Sequence, residues 1–353
     1  MTHFADLVGH GGVLQLLESE LAGPAQAYLF VGPSNVGKAS VARRFAAALV
    51  GGEDAEAVRR AKAGSHPDLV LIAPEGRSSI TVDQARGVVS AAVLSPLEAG
   101  RKVFLFEEAS MLNDEAANAL LKTIEEPIAT TTFVLVAESE DDLPPTVASR
   151  CRSIVFGRVS EEDIAQGLVE RGIDEDDAMR AAQISGGRPG LAVALAREPR
   201  VASFRDTWLS IPGQLTDHPG DAYRVASEVM EATEPLLAAV KARQETELER
   251  DHLGGNIPKP VLERQQRELA RAADALYVTG LELLATFYRD TACAQLGAPV
   301  QNTDIPVSDL TRVTIETAVQ NASRVLETID SLHANQRPNL ALTALFLDLG
   351  TDA

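Results

Sequence analysis

Cysteine is nearly missing from this 353-residue sequence, which holds only Cys151 and Cys293. That excludes a disulfide framework and a four-cysteine zinc site. Also missing is any run approaching the ~18–20 consecutive apolar residues of a membrane helix. The first residues, Met1 to Asp6, supply neither a basic stretch nor an apolar one. Export is therefore not expected, and a cytoplasmic protein without a membrane partner is. Basic residues are scarce: 32 Lys and Arg face 51 Asp and Glu, a net charge of −19. A surface of that sign argues against a protein that coats a phosphate backbone by itself. There is no internal repeat and no low-complexity tract. What remains is 45% hydrophobic and 24% charged, the composition of a folded chain. At roughly 150 residues per domain, its length suggests two or three domains.

Short apolar strands alternate with helical patterns in the first part, as in an α/β domain with a parallel sheet. Strands are expected at Ala27–Val31, Asp68–Ile72, Lys102–Phe106, Thr131–Val136 and Ser153–Phe156. Val103 to Phe106 and Phe133 to Val136 are apolar without alternation, as strands covered on both faces are. Helical spacing marks 40–50, 82–93 and 114–124, the last with Asn113 as its cap and Pro127 as its stop. Beyond residue 158 the pattern is helical throughout. Short helices fill 160–197, and long ones are expected near 221–251, 258–296, 309–334 and 338–349. The breaks fall at Gly254 to Pro258 and between Gly297 and Asp309. The acid excess is heaviest in 206–353, with 22 acids against 12 bases.

The clearest motif is Gly32-Pro33-Ser34-Asn35-Val36-Gly37-Lys38, set between an apolar strand and an amphipathic helix. Glycines there let backbone N–H groups curl around phosphate oxygens, the helix N-terminus adds positive potential, and Lys38 reaches the terminal phosphates. A chance glycine turn is the plainer alternative, but strand, loop, lysine and helix agree. The next residue departs from the pattern. Ala39 stands where a hydroxyl would ligate Mg²⁺, and Ser40, turned by roughly 100° on a helix, does not substitute. Glu107-Glu108 ends an apolar strand where Asp-Glu is usual, so the first carboxylate is displaced by about one bond length. Both departures fall on the same ion. Taken alone, the acid pair could equally be an exposed strand end, and Arg150 a helix C-terminal cation.

As an ordered set, His10, Ala27 to Phe30, the phosphate loop, His66-Pro67-Asp68, Lys102-Val103, Asn118 to Lys122, Glu125-Glu126-Pro127 and Ser149-Arg150-Cys151 resemble the clamp-loader branch of the AAA+ ATPases. The motifs are dense over 6–156, thinner to about 200, and beyond that reduce to Tyr288-Arg289-Asp290. The resemblance implies an AAA+ phosphate-loop domain at 1–158, a small helical lid at 159–205 and an all-α collar at 206–353. It implies ATP or ADP at Gly32, Pro33, Ser34, Asn35, Val36, Gly37, Lys38, Ala39 and Ser40, beside Glu107 and Glu108. Ser139 takes the sensor-1 position and Arg188 the sensor-2 position. Arg150 becomes an arginine finger pointing into a neighbour's nucleotide site. Cys151 is then a small buried hydrophobe. The cysteine-free stretch 51–60 leaves no zinc module, and Ala39 with Glu107 speaks against Mg²⁺. The implied role is a stator that hydrolyses ATP weakly or not at all, in the DNA polymerase III assembly. Its partners would be gamma/tau and delta types of subunit, with the sliding clamp and primer-template DNA reached through the complex. The alternative is a gamma/tau-like motor subunit or another AAA+ ATPase.

Overall fold

The computed structural model describes residues 3–5, 7–74, 79–126, 128–252, 257, 259–334 and 336–351. Pro127, expected to stop a helix, and most of the Gly254 to Pro258 break lie outside these. The chain divides into two compact units. The first comprises Met1–Gly167, Gly187–Gly190 and Gln244–Arg267, and the second Leu168–Gly186, Leu191–Arg243 and Glu268–Ala353. No described helix is long and apolar enough to cross a membrane.

The first unit is built on a five-stranded, wholly parallel sheet. Its strands are β1 (Ala27–Val31), β2 (Leu69–Ile72), β3 (Lys102–Phe106), β4 (Thr131–Val136) and β5 (Arg152–Val155), in the order β2-β3-β4-β1-β5. Every residue of β1, β3 and β4 is buried, which explains their unbroken apolar sequence. β2 and β5 are the edges and are only partly covered. Around the sheet lie α1 (Gly11–Glu20), α2 (Lys38–Gly51), α3 (Ala55–Lys62), α4 (Val82–Ala92), α5 (Asp114–Glu125) and the short α6 (Pro145–Ala148). One cluster packs Phe30, Phe45 and Leu105 with α2, and another packs Phe104, Phe133 and Leu120 with α4 and α5. Asn113 caps α5 by accepting from Ala116 N–H, as its sequence suggests.

After the sheet come α7 (Glu161–Val169), α8 (Glu175–Ser185), α9 (Pro189–Leu195), α10 (Val201–Ser210), α11 (Pro219–His252), α12 (Lys259–Gln295), α13 (Val307–Leu310), α14 (Ile315–His333) and α15 (Pro338–Gly350). The single helix expected over 309–334 is two, because the Thr314 hydroxyl accepts from Thr317 N–H and starts α14 afresh. The second unit closes on one apolar core that includes Phe204, Trp208, Leu281, Leu284 and Phe346. A side chain at Gly280 would lie 1.9 Å from the Trp208 ring, so glycine is what lets the indole reach the α12 backbone.

Two motif aspartates are structural keystones. Asp68 is fully buried and accepts from the N–H groups of Leu97, Glu98 and Ala99 at 2.7–2.9 Å. His66 Nδ1 accepts from Asp68 N–H, so His66-Pro67-Asp68 pins the segment entering β3. Asp290 likewise accepts from Gln301 and Asn302 N–H and from Asn302 Nδ2, and pairs with Arg289. Burial works against ionisation of both, but these donors hold both carboxyls below their ordinary value. Asp68→Ala should lose about 1–3 kcal/mol in urea unfolding at neutral pH, because three N–H groups lose their acceptor. The sign of the pH dependence follows from the depression. The contribution is complete above the unfolded carboxyl range near about pH 4 and disappears as pH falls through the lower folded value. The gap between wild type and variant should therefore narrow only in acid.

Candidate nucleotide site

The phosphate loop leaves β1 at the carboxyl edge of the sheet, where open parallel sheets bind ligands. Gly32 has φ of 144°, and a Cβ there would sit 2.0 Å from the Phe156 carbonyl oxygen. Glycine is obligatory at this crossing. Asn35 adopts φ of 63° and Gly37 φ of 104°, which turn the chain into the first turn of α2. Lys38 is buried, and its ammonium donates to the carbonyls of Gly32 and Pro33 at 2.5 and 2.6 Å, inside the curl of its own loop. His10, itself at φ of 58°, places Nε2 2.8 Å from the Val36 carbonyl and packs edge-on against Phe156. From the end of β4, the Glu138 carbonyl accepts from Gly32 N–H at 3.0 Å, and its carboxylate accepts from the Ser34 hydroxyl.

The acid pair follows β3 on the same edge. Glu107 Oε1 lies 2.9 Å from Arg43 Nε of α2, and Glu108 Oε1 accepts from Arg267 Nε at 3.0 Å. Ser139 caps a short turn, its hydroxyl accepting from Asp141 N–H. Arg188 is buried. Arg150 follows α6 and is about one third exposed. It pairs with Glu125 at the end of α5 and donates to the Thr146 carbonyl at 2.7 Å. Burial pushes the Cys151 thiol up to about 12, so at neutral pH it is no nucleophile.

A family model described as DNA polymerase III, delta subunit, matches residues 10–160, which hold the phosphate loop, the acid pair, Ser139 and Arg150 but not Arg188 or Arg267. The chain is 40% identical over 149 residues to the DNA polymerase III subunit delta' of Pseudomonas aeruginosa, covering 39% of this chain and 45% of that one. It is 30% identical over 206 residues to the subunit delta' of Bacillus subtilis, covering 56% and 62%. The tau/gamma subunit of Haemophilus influenzae is 34% identical over 175 residues, covering 47% of this chain and 25% of that one. Residues 10–160 are thus similar to clamp-loader subunits of both the delta' and the tau/gamma type. The chain spans about half the length of the delta' relatives it matches.

The loop has the form that suits a nucleotide phosphate: a lysine and a helix N-terminus stand within one glycine-shaped curl. Mg²⁺ fits poorly. Ala39 has no hydroxyl to offer, and both acids of the pair are already engaged by arginines. The residues that sequence reasoning missed are those partners, Arg43 and Arg267, together with Glu138 as the clasp on Gly32 and Ser34. His10 was among the motif residues, but nothing in its spacing pointed to the Val36 carbonyl. Arg43 lies on the helix after the loop, near it in sequence. Arg267 lies about 160 residues from its partner, and no local signal marks it.

Comparing the two loop glycines separates strain from overlap. Gly37→Ala meets open space and suffers only its positive φ, about 1–3 kcal/mol. Gly32→Ala adds a collision with the β5 end of the sheet, so its loss in thermal or urea unfolding should be clearly the larger.

Proposed function

We propose that the chain acts as a delta-prime-like stator of the bacterial clamp loader, supporting ATP-dependent loading of the sliding clamp onto primed DNA. Gamma/tau-type and delta-type subunits are its direct partners, and it meets clamp and DNA through them. The Lys38 loop holds ATP or ADP, with Arg188 reaching toward the phosphates from the lid (159–205). The helices of 206–353 supply the collar. Its own hydrolysis is weak or absent, since phosphoryl transfer depends on positioning of an ion that Ala39, Glu107 and Glu108 are ill suited to hold.

The observation that carries this reading is the setting of Arg150. Its guanidinium is partly exposed, sits beyond a one-turn helix and is tied to Glu125, Thr146 and Ser149, none of them in the phosphate loop. An arginine so placed is available to a neighbour's site rather than to its own. There it would neutralise charge on the transferring phosphoryl group, for which fingers supply about 10³–10⁵ in rate.

Mixing the chain with the other clamp-loader subunits and measuring DNA- and clamp-stimulated ATPase tests the proposal. Arg150→Ala should remove most of the turnover attributable to the adjoining site, while Lys38→Ala should leave it intact. Robust ATP turnover by the purified chain alone would overturn the stator reading.

A further inference from the structure

The acid pair at the end of β3 is held from two directions. Arg43 comes from the helix that follows the phosphate loop. The other cations come from a segment far along the chain, Gln244–Arg267, which groups with the sheet in the first unit. Arg264 Nη1 stands 3.9 Å from Glu107 Oε1, and Arg267 Nε donates to Glu108 Oε1 at 3.0 Å. The acid side chains are only 8% and 11% exposed, so their charge must be compensated locally. The segment is not held by charge alone. Val261 is buried, its Cγ2 3.4 Å from where a Cβ on Gly64 would be, while Gln265 Nε2 ties the segment to itself by donating to the Gln244 carbonyl at 3.2 Å.

The two carboxylates already face three guanidinium groups. A divalent cation entering here would have to displace arginines from a partly buried site, and Ala39 gives it no ligand in return. We propose that residues 259–267 form an intramolecular strap whose Arg264 and Arg267, with Arg43, stand on Glu107 and Glu108 in place of a divalent cation. The acid pair is thereby closed to metal as long as the strap is docked. This deepens the reading of the Lys38 loop as a nucleotide site that does not turn over, and rests on it.

Mn²⁺ binding to the full-length chain, followed by electron paramagnetic resonance, tests the proposal without requiring nucleotide. Three proteins are compared: wild type, Arg264→Met with Arg267→Met, and Glu107→Gln with Glu108→Gln. Methionine keeps the aliphatic stem, and a thermal melt of each protein establishes that it is folded. Wild type should bind no more Mn²⁺ than the glutamine variant, whose only sites are surface carboxylates, while the methionine variant should gain a bound ion. Amide hydrogen exchange of residues 259–267 should rise about tenfold or more in both variants, since each removes one side of the clasp. The strap is overturned if wild type holds an Mn²⁺ that the glutamine variant loses, or if neither variant alters the exchange. Titration with ADP on the same proteins tests the nucleotide reading separately.

Discussion

A carboxylate removed from water must meet donors or cations, and in so acidic a chain this requirement organises much of the structure. Glu20 is buried and accepts from the Tyr28 hydroxyl at 2.8 Å, with Arg152 of β5 beside it. Burial and that bond push the Tyr28 hydroxyl well above its ordinary value. Asp68 takes three backbone N–H groups and Asp290 takes two, plus an amide. Glu107 and Glu108 take arginines. Each solution ties together segments distant in sequence, so compensation of charge doubles as a specification of topology. Replacing one partner strands the other, which costs more than the pair itself contributes.

The nucleotide loop shows the same economy in a different form. Gly32 has no room for a side chain because β5 returns directly over it, and Glu138 closes the loop from the next strand. Lys38 is held by the carbonyls of the residues that it follows. The result is a closed glycine loop beside an acid pair that is already met by arginines. The proposed stator role rests on this pairing of the acids together with the partly exposed, Glu125-paired Arg150. The net charge of −19 fits that role, since such a subunit need not hold nucleic acid on its own surface.

Much of this was legible beforehand, and for identifiable reasons. The central strands were readable because burial on both faces forces a continuous apolar run, and the loop because only glycine and lysine in that order make its curl. The break between α13 and α14 is not marked by a proline or glycine; its one sequence signal is Thr314, a residue type that caps helices, whose hydroxyl starts α14. His66-Pro67-Asp68 and Tyr288-Arg289-Asp290 were recognisable as motifs, yet their work as anchors for 97–99 and 301–302 depends on loops whose return path no periodicity encodes.

The sequence by itself determined the α/β sheet, the phosphate loop, the missing hydroxyl at Ala39 and the family resemblance, because these rest on local residue order. Tertiary structure alone decided which cations meet Glu107 and Glu108. Arg43 is near the loop in sequence, but Arg264 and Arg267 reach the acid pair only because the Gln244–Arg267 segment folds with the first unit. Coulombic partners are chosen by distance in space, and that distance is set by the packing of the whole unit rather than by spacing along the chain.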